Sequence, residues 1–216
     1  MSKFKCIIFD CDGVLIDSES IAIGVLVDMA NVFGANMDFK ESLISLKGKS
    51  FNSCLALIES RIGKALPPDF EANYRIKTFE TFKREIKPIE GIQQVLEHLT
   101  VPFCVASSGP ENKIRLNLEE TGLLPFFEGK IFSCYTIQKW KPEPDVFLWA
   151  AKTMGFEPKD CLVIEDSISG VRAAKAGGFT VFGYTEHDYH QALKHEAHKT
   201  FSRMAELLPM LNNLDK

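Results

Sequence analysis

Short apolar runs alternate with helix-period segments along most of this chain, and the alternation is interrupted once. Cys6-Ile7-Ile8-Phe9 is a four-residue apolar run ending at Asp10, and it reads as a buried strand. After Pro88 a helix is expected over Ile92–Leu99, followed by a strand, Phe103-Cys104-Val105-Ala106, that ends in Ser107-Ser108-Gly109. A helix over Glu111–Thr121 stops at Gly122, and a short strand falls near Ile131-Phe132-Ser133. Trp140-Lys141-Pro142-Glu143-Pro144 then leads into a helix to Met154. Cys161-Leu162-Val163-Ile164 is the next strand, ending at Glu165-Asp166. The helix after Ser167 halts at Gly177-Gly178, and Thr180-Val181-Phe182 is the last clear strand. Such alternation predicts an α/β fold, a doubly wound parallel sheet covered by helices on both faces.

The interruption runs from about residue 17 to residue 86 and shows helical periodicity without a convincing strand. The first helix takes Asp17 or Ser18 as its cap and Gly34 as its stop. Ile21, Val25, Met29, Val32 and Phe33 lie at helical spacing on it, with Ser20, Gly24 and Asp28 as a narrow polar stripe. Further helices are expected over Ser50–Ile62 and Asp69–Ile86, the latter with Ala72, Ile76, Phe79, Phe82 and Ile86 marking one face. The predicted organisation is a core of residues 1–16 and 87–216 with a smaller helical domain, 17–86, inserted after the first strand. Crossings near 15–18 and 84–90 are the natural hinges.

Composition narrows the function. At 216 residues a hydrophobic core forms without covalent staples. The formal net charge of −4 supplies no basic field for nucleic acid or an anionic membrane, so neither is an expected partner. Met1-Ser2-Lys3-Phe4-Lys5 shows no secretory pattern, and no apolar stretch reaches about 18 residues. The expected compartment is the cytosol. The six cysteines form no Cys-x-x-Cys pair and read as buried free thiols. His187/His190 and His195/His198 are each three residues apart, yet no zinc pattern accompanies them, and a solvated helical surface is expected.

In open parallel sheets, ligands collect beyond the carboxyl ends of the strands. Those ends carry Asp10 and Asp12, Ser107 and Ser108, Lys141, and Glu165 and Asp166. The set suits phosphoryl transfer. A carboxylate can attack phosphorus and split one difficult displacement into two easier ones. Carboxylates also repel a phosphate dianion, so a hard cation is required, and oxygen ligands select magnesium. Lysine, serine hydroxyl and backbone N–H groups can hold the transferring oxygens, and a second acid can protonate the leaving group. Taken singly, Asp12-Gly13 could be only a turn and Asp166-Ser167 only a helix cap.

Taken together, these segments resemble the haloacid dehalogenase superfamily of phosphatases. Phe9-Asp10-Cys11-Asp12-Gly13-Val14-Leu15 is similar to its first motif, Ser107 to its second, and Lys141 in Lys-Pro-Glu-Pro-Asp to its third. Glu165-Asp166-Ser167 with Gly170 is similar to the fourth, and the helical insertion sits where the family carries a cap domain. The resemblance implies a Rossmann-like core and Mg2+ as cofactor. It implies Asp10 as nucleophile and metal ligand, and Asp12 as general acid/base with its backbone carbonyl on the metal. Ser107 and the Ser108 N–H would hold phosphate, Lys141 would neutralise it, and Asp166 would bind the metal with Glu165 in support.

The cap should choose the leaving group, and Lys47, Lys49, Ser50, Arg75 and Lys77 are its candidate anion-recognising residues. Within the family the chain resembles the β-phosphoglucomutase-like branch and, through Ser107–Lys113 and Gln138–Pro142, the 6-phosphogluconate phosphatase group. Two positions depart from the mutase: Ala22 replaces its cap histidine, and Phe51 replaces the arginine that grips a second phosphate. The expected activity is therefore hydrolysis of a small phosphorylated metabolite, a sugar phosphate or phosphosugar acid, through an aspartyl phosphate. A mutase is the alternative, ahead of a dehalogenase, a receiver domain or a non-catalytic phosphate-binding protein. A monomer is expected, with a homodimer as the other possibility.

Overall fold

The computed structural model describes residues 3–46, 49, 51–186, 188 and 191–213. The chain divides into two compact units, Met1–Ile16 with Lys87–Lys216, and Asp17–Ile86.

The first unit is built on six strands: β1 (Cys6–Phe9), β2 (Phe103–Ser107), β3 (Ile131–Ser133), β4 (Cys161–Glu165), β5 (Thr180–Tyr184) and β6 (Lys199–Phe201). They form one sheet in the order β3-β2-β1-β4-β5-β6, every pairing parallel. Parallel sheets need cover on both faces, and the side-chain parity shows it. Cys6, Ile8, Cys104, Ala106, Val163 and Val181 pack in one cluster with Val146, Phe147, Ala150, Val171 and Ala174 of two helices. On the opposite parity Phe9 meets Phe103 and Phe127 edge-on, at ring separations of 6.1 and 6.5 Å. From β1 the chain builds outward through β2 and β3, then returns to β1's other side with β4. The order therefore reverses between β1 and β4, where such sheets open a crevice at their carboxyl ends.

The second unit holds four helices: α1 (Glu19–Val32), α2 (Phe39–Leu46), α3 (Phe51–Ile62) and α4 (Phe70–Glu85). The core adds α5 (Ile92–His98), α6 (Glu111–Glu120), α7 (Leu124–Phe127), α8 (Cys134–Ile137), α9 (Asp145–Met154), α10 (Ile168–Ala176) and α11 (Leu207–Asn212). Leu26, Ala30, Met37, Leu46, Ile58 and Phe70 join the second unit's own buried cluster. Gly34, at φ +91°, ends α1, and the Asn31 side chain bonds both the N–H and the carbonyl of Met37 to fix the following turn.

Several sequence expectations need correction. On α1 the buried positions are Ile23, Leu26, Val27 and Ala30 beside Val25 and Met29, and Val32 is 80% exposed. On α4 the buried side chains are Phe70, Thr78 and Phe82, spaced by multiples of four, whereas Ile76 is 59% and Phe79 44% exposed. Neither α2 nor β6 was expected. His198 lies off any helix, and its ring accepts the Val181 N–H at 3.2 Å; His187 and His190 lie outside the described residues.

Candidate active site

The sheet itself brings the acids together. Asp10 N–H donates to the Ile164 carbonyl at 2.9 Å, so the β1–β4 ladder continues one residue past β1. That bond sets Asp10 beside the end of β4, whose last residue is Glu165 and which Asp166 follows. Oxygens of Asp10, Glu165 and Asp166 all lie within 4.8 Å of one another. The loop after β1 curls so that Cys11's carbonyl accepts the N–H groups of Leu15 and Ile16. Gly13 stands at φ +85° in this curl, and a Cβ there would fall 2.0 Å from Asp166 Oδ2. Only glycine permits both the left-handed backbone and so close an acid.

Lys141 lies between two of these carboxylates. Its Nζ is 2.5 Å from Asp10 Oδ1, 2.7 Å from Glu165 Oε1 and 3.3 Å from the Ala106 carbonyl. All three side chains are buried, with Lys141 at 3%, Asp10 at 9% and Glu165 at 1% exposure. Two carboxylates share one ammonium, and Asp166 adds a further acid, so negative charge is in excess. Burial pushes the Asp10 carboxyl up to about 7, opposed by the Lys141 charge and aided by Glu165 and Asp12. Burial acts to lower the Lys141 pKa, but Asp10 and Glu165 outweigh it and hold the ammonium above its usual range. Glu165 Oε2 accepts from Ser167 N and Oγ at 2.7 and 2.9 Å, so both Glu165 oxygens are engaged within the protein. Gly170 makes room for that carboxylate, since a Cβ there would lie 1.7 Å from Oε1.

On the other side of β1, Ser107 ends β2 with its hydroxyl accepting the Gly109 N–H at 3.0 Å. Its own proton stays available to donate. Ser133, which sequence reasoning passed over, donates to the Gly109 carbonyl at 2.7 Å and accepts from Tyr135 N–H at 3.1 Å, bracing the Ser107-Ser108-Gly109 turn. Ser107 is buried and Ser108 exposed. Asp12's carboxylate belongs to a separate pair, with Lys113 Nζ 3.2 and 3.4 Å from its two oxygens. Burial is the largest single influence and tends to lower the Lys113 pKa, but the charge and hydrogen bond of Asp12, with Cys11 and Asp10 nearby, together outweigh it and the net shift is upward. Lys113 was also not singled out: a lysine on an amphipathic helix carries no signal separating it from a solvated one.

An excess of buried carboxylate oxygen, with no soft donor among the three clustered acids, fits a hard divalent cation. Of the cap candidates, Lys47 and Ser50 lie outside the described residues. Lys49 is exposed. Arg75 pairs with Glu71 one turn away at 2.5 Å, leaving it less available for a ligand. Lys77 lines a groove of about 410 Å³ within the helical unit, together with Ser20, Gly24, Asp28 and Arg84.

Comparison with known proteins agrees with this geometry. Residues 4–178 match the family model described as haloacid dehalogenase-like hydrolase. The 6-phosphogluconate phosphatase of Escherichia coli K12 is 32% identical over 96% of this chain and 94% of that protein. A haloacid dehalogenase-like protein of unknown function from Agrobacterium tumefaciens superimposes with a TM-score of 0.90 at 30% identity, covering 99% of this chain and 100% of that one. A HAD family hydrolase from Deinococcus radiodurans, solved with bound phosphate and sodium, gives 0.86 at 29% identity over 96% and 94%.

Proposed function

Because the chain belongs to the haloacid dehalogenase-like hydrolases and is a phosphoric monoester hydrolase, we propose that it is a Mg2+-dependent phosphatase that transfers the phosphoryl group of a small metabolite to Asp10 and then to water. The observation that carries this reading is the meeting of Asp10, Glu165 and Asp166 at the β1–β4 switch point, with Lys141 between the first two.

Asp10 and Asp166 side chains and the Asp12 carbonyl would hold the cation, whose charge offsets the repulsion between these acids and a phosphate dianion. Glu165, occupied by Lys141 and Ser167, acts in support by holding the lysine. In the first step an Asp10 oxygen bonds to phosphorus, and the ester P–O bond breaks. Lys141 and the Ser107 hydroxyl stabilise charge on the transferring oxygens, and Asp12 gives its proton to the leaving oxygen. In the second, Asp12 takes a proton from water, the water oxygen bonds to phosphorus, and the Asp10–phosphorus bond breaks.

The substrate class is a sugar phosphate or phosphosugar acid, with 6-phosphogluconate the first to try, since the named relative spans nearly the whole chain. Lys49, Arg75 and Lys77 are the described cap residues proposed to read the anionic leaving group, with Lys47 and Ser50 beside Lys49 in sequence. A small phosphorylated metabolite is thus the partner, and the six free, buried thiols suit a reducing cytosol. Among the described residues no helix is long and apolar enough to cross a membrane.

The test is phosphate release from a panel of sugar phosphates, phosphosugar acids and nucleotides, with Mg2+ and with EDTA. Wild-type protein should release phosphate only with the metal. Asp10→Asn should fold normally and lose activity by at least about a thousandfold, because the attacking carboxylate is gone. Retained activity in Asp10→Asn would refute the nucleophile, and full activity in chelator would refute the metal.

A further inference from the structure

Lys113 occupies the third position of α6, in the first turn of a helix that begins at Glu111. A cation is unfavourable there, because the helix N-terminus already carries partial positive charge. What offsets the placement is Asp12, whose two carboxylate oxygens both lie within hydrogen-bond reach of the Lys113 Nζ, at 3.2 and 3.4 Å. The pair is two-thirds buried, each side chain being 32% exposed. It is also continuous with the turn proposed to hold phosphate. The Cβ position of Gly109 lies 3.5 Å from Ser107 Oγ and 3.8 Å from Asp12 Oδ2, so the hydroxyl and the acid flank the same residue.

Resting on the phosphatase reading above, we infer that Lys113 is the positioning residue for Asp12, holding both carboxylate oxygens so that the acid faces the leaving oxygen. An aspartate turns about two side-chain bonds, and one ammonium contacting both oxygens restrains both. The restraint matters in the step where Asp12 hands over its proton as the ester P–O bond breaks and the Asp10–phosphorus bond forms. An alkoxide leaves poorly without that proton, whereas p-nitrophenolate leaves unaided. Lys113 therefore sets how far the enzyme handles alkyl esters, the class to which sugar phosphates belong.

The experiment compares kcat/KM of wild type, Lys113→Met and Lys113→Arg on p-nitrophenyl phosphate and on 6-phosphogluconate, or on the alkyl phosphate in the panel turned over fastest. Lys113→Met should lose about tenfold or more on the alkyl ester and no more than about twofold on p-nitrophenyl phosphate, a part of what a general acid contributes. Lys113→Arg should recover most of the loss. Equal losses on both esters would mark a merely structural lysine and overturn the inference, as would no loss on either. Should circular dichroism show Lys113→Met unfolded, Lys113→Gln replaces it with the same expectations. Wild-type protein inert toward both esters would instead overturn the phosphatase reading itself.

Discussion

Gly13 shows how little latitude the site leaves its smallest residue. Alanine there must adopt a left-handed backbone and place its methyl where Asp166 Oδ2 now lies. Gly13→Ala should cost about 1–3 kcal/mol in strain, and should weaken Mg2+ binding by displacing Asp166. Calorimetric titration with Mg2+ reads the second effect; unchanged affinity would mean Asp166 is not a ligand. Lys141→Met removes the ammonium that two buried carboxylates share. Urea denaturation in EDTA should show a loss of about 3–5 kcal/mol, partly restored by Mg2+. A third prediction concerns pH. Burial raises Asp10's carboxyl to about 7 in the metal-free fold, well above an unfolded carboxylate. Its ionisation therefore opposes metal-free folding increasingly as pH rises from about 4 to about 7. Proton and cation compete for the same group, so Mg2+ affinity should tighten as pH rises and level off above neutrality. Affinity independent of pH between 5 and 8 would contradict this. At this scale the placements of Asp10, Ser107, Glu165 and Asp166 were legible because each ends or directly follows a short apolar run that forms a buried strand, whereas Lys141 lies beyond α8 rather than at the end of β3 and was marked by its resemblance to the third motif. Lys113 and Ser133 were not, because their partners, Asp12 and Gly109, lie 101 and 24 residues away along the chain.

Among the elements, the strands of the sheet centre were readable from four or five residues, since Cys6–Phe9 and Cys161–Glu165 are buried throughout. Edge strand β6 was not: Lys199-Thr200-Phe201 buries one side chain of three and is a strand only because β5 pairs with it. Helix α2 did carry a signal in Asp38 and Glu41, and the Asp38 carboxylate does accept the Glu41 N–H at 2.9 Å. The expected face of α4 held at Phe82 and Ile86 and failed at Ala72, Ile76 and Phe79, because Ile76 and Phe79 are as apolar as the buried Phe70 and Phe82. Helical period selects a stripe only when the other stripe is polar, and α4 offers two. The observed face makes a sharp prediction. Phe70→Ala, which removes a 3%-exposed ring packed on Phe33, should destabilise the helical unit by about 3–5 kcal/mol. Ile76→Ala, at 59% exposure, should change it by less than about 0.5 kcal/mol. Equal effects in thermal unfolding would restore the sequence-based face.

At the level of the molecule, each unit carries its own buried cluster. The chain leaves the core at Ile16 and re-enters at Lys87. Those two points are stitched together inside the core, where Ile16 bridges Pro88 and the Ile89 N–H donates to the Leu15 carbonyl at 3.0 Å. Replacing residues 17–86 by a short Gly/Ser linker should therefore leave a folded core that binds Mg2+ and turns over p-nitrophenyl phosphate slowly, with no preference among sugar phosphates. A core that fails to fold in circular dichroism would show that the insertion is structural. The hydrogen-bonded doorway has a longer consequence. A helical module inserted at a fixed socket can be lengthened, shuffled or exchanged without disturbing strand order, so under the proposed role of that module the choice of metabolite is free to drift while the phosphorus chemistry stays put.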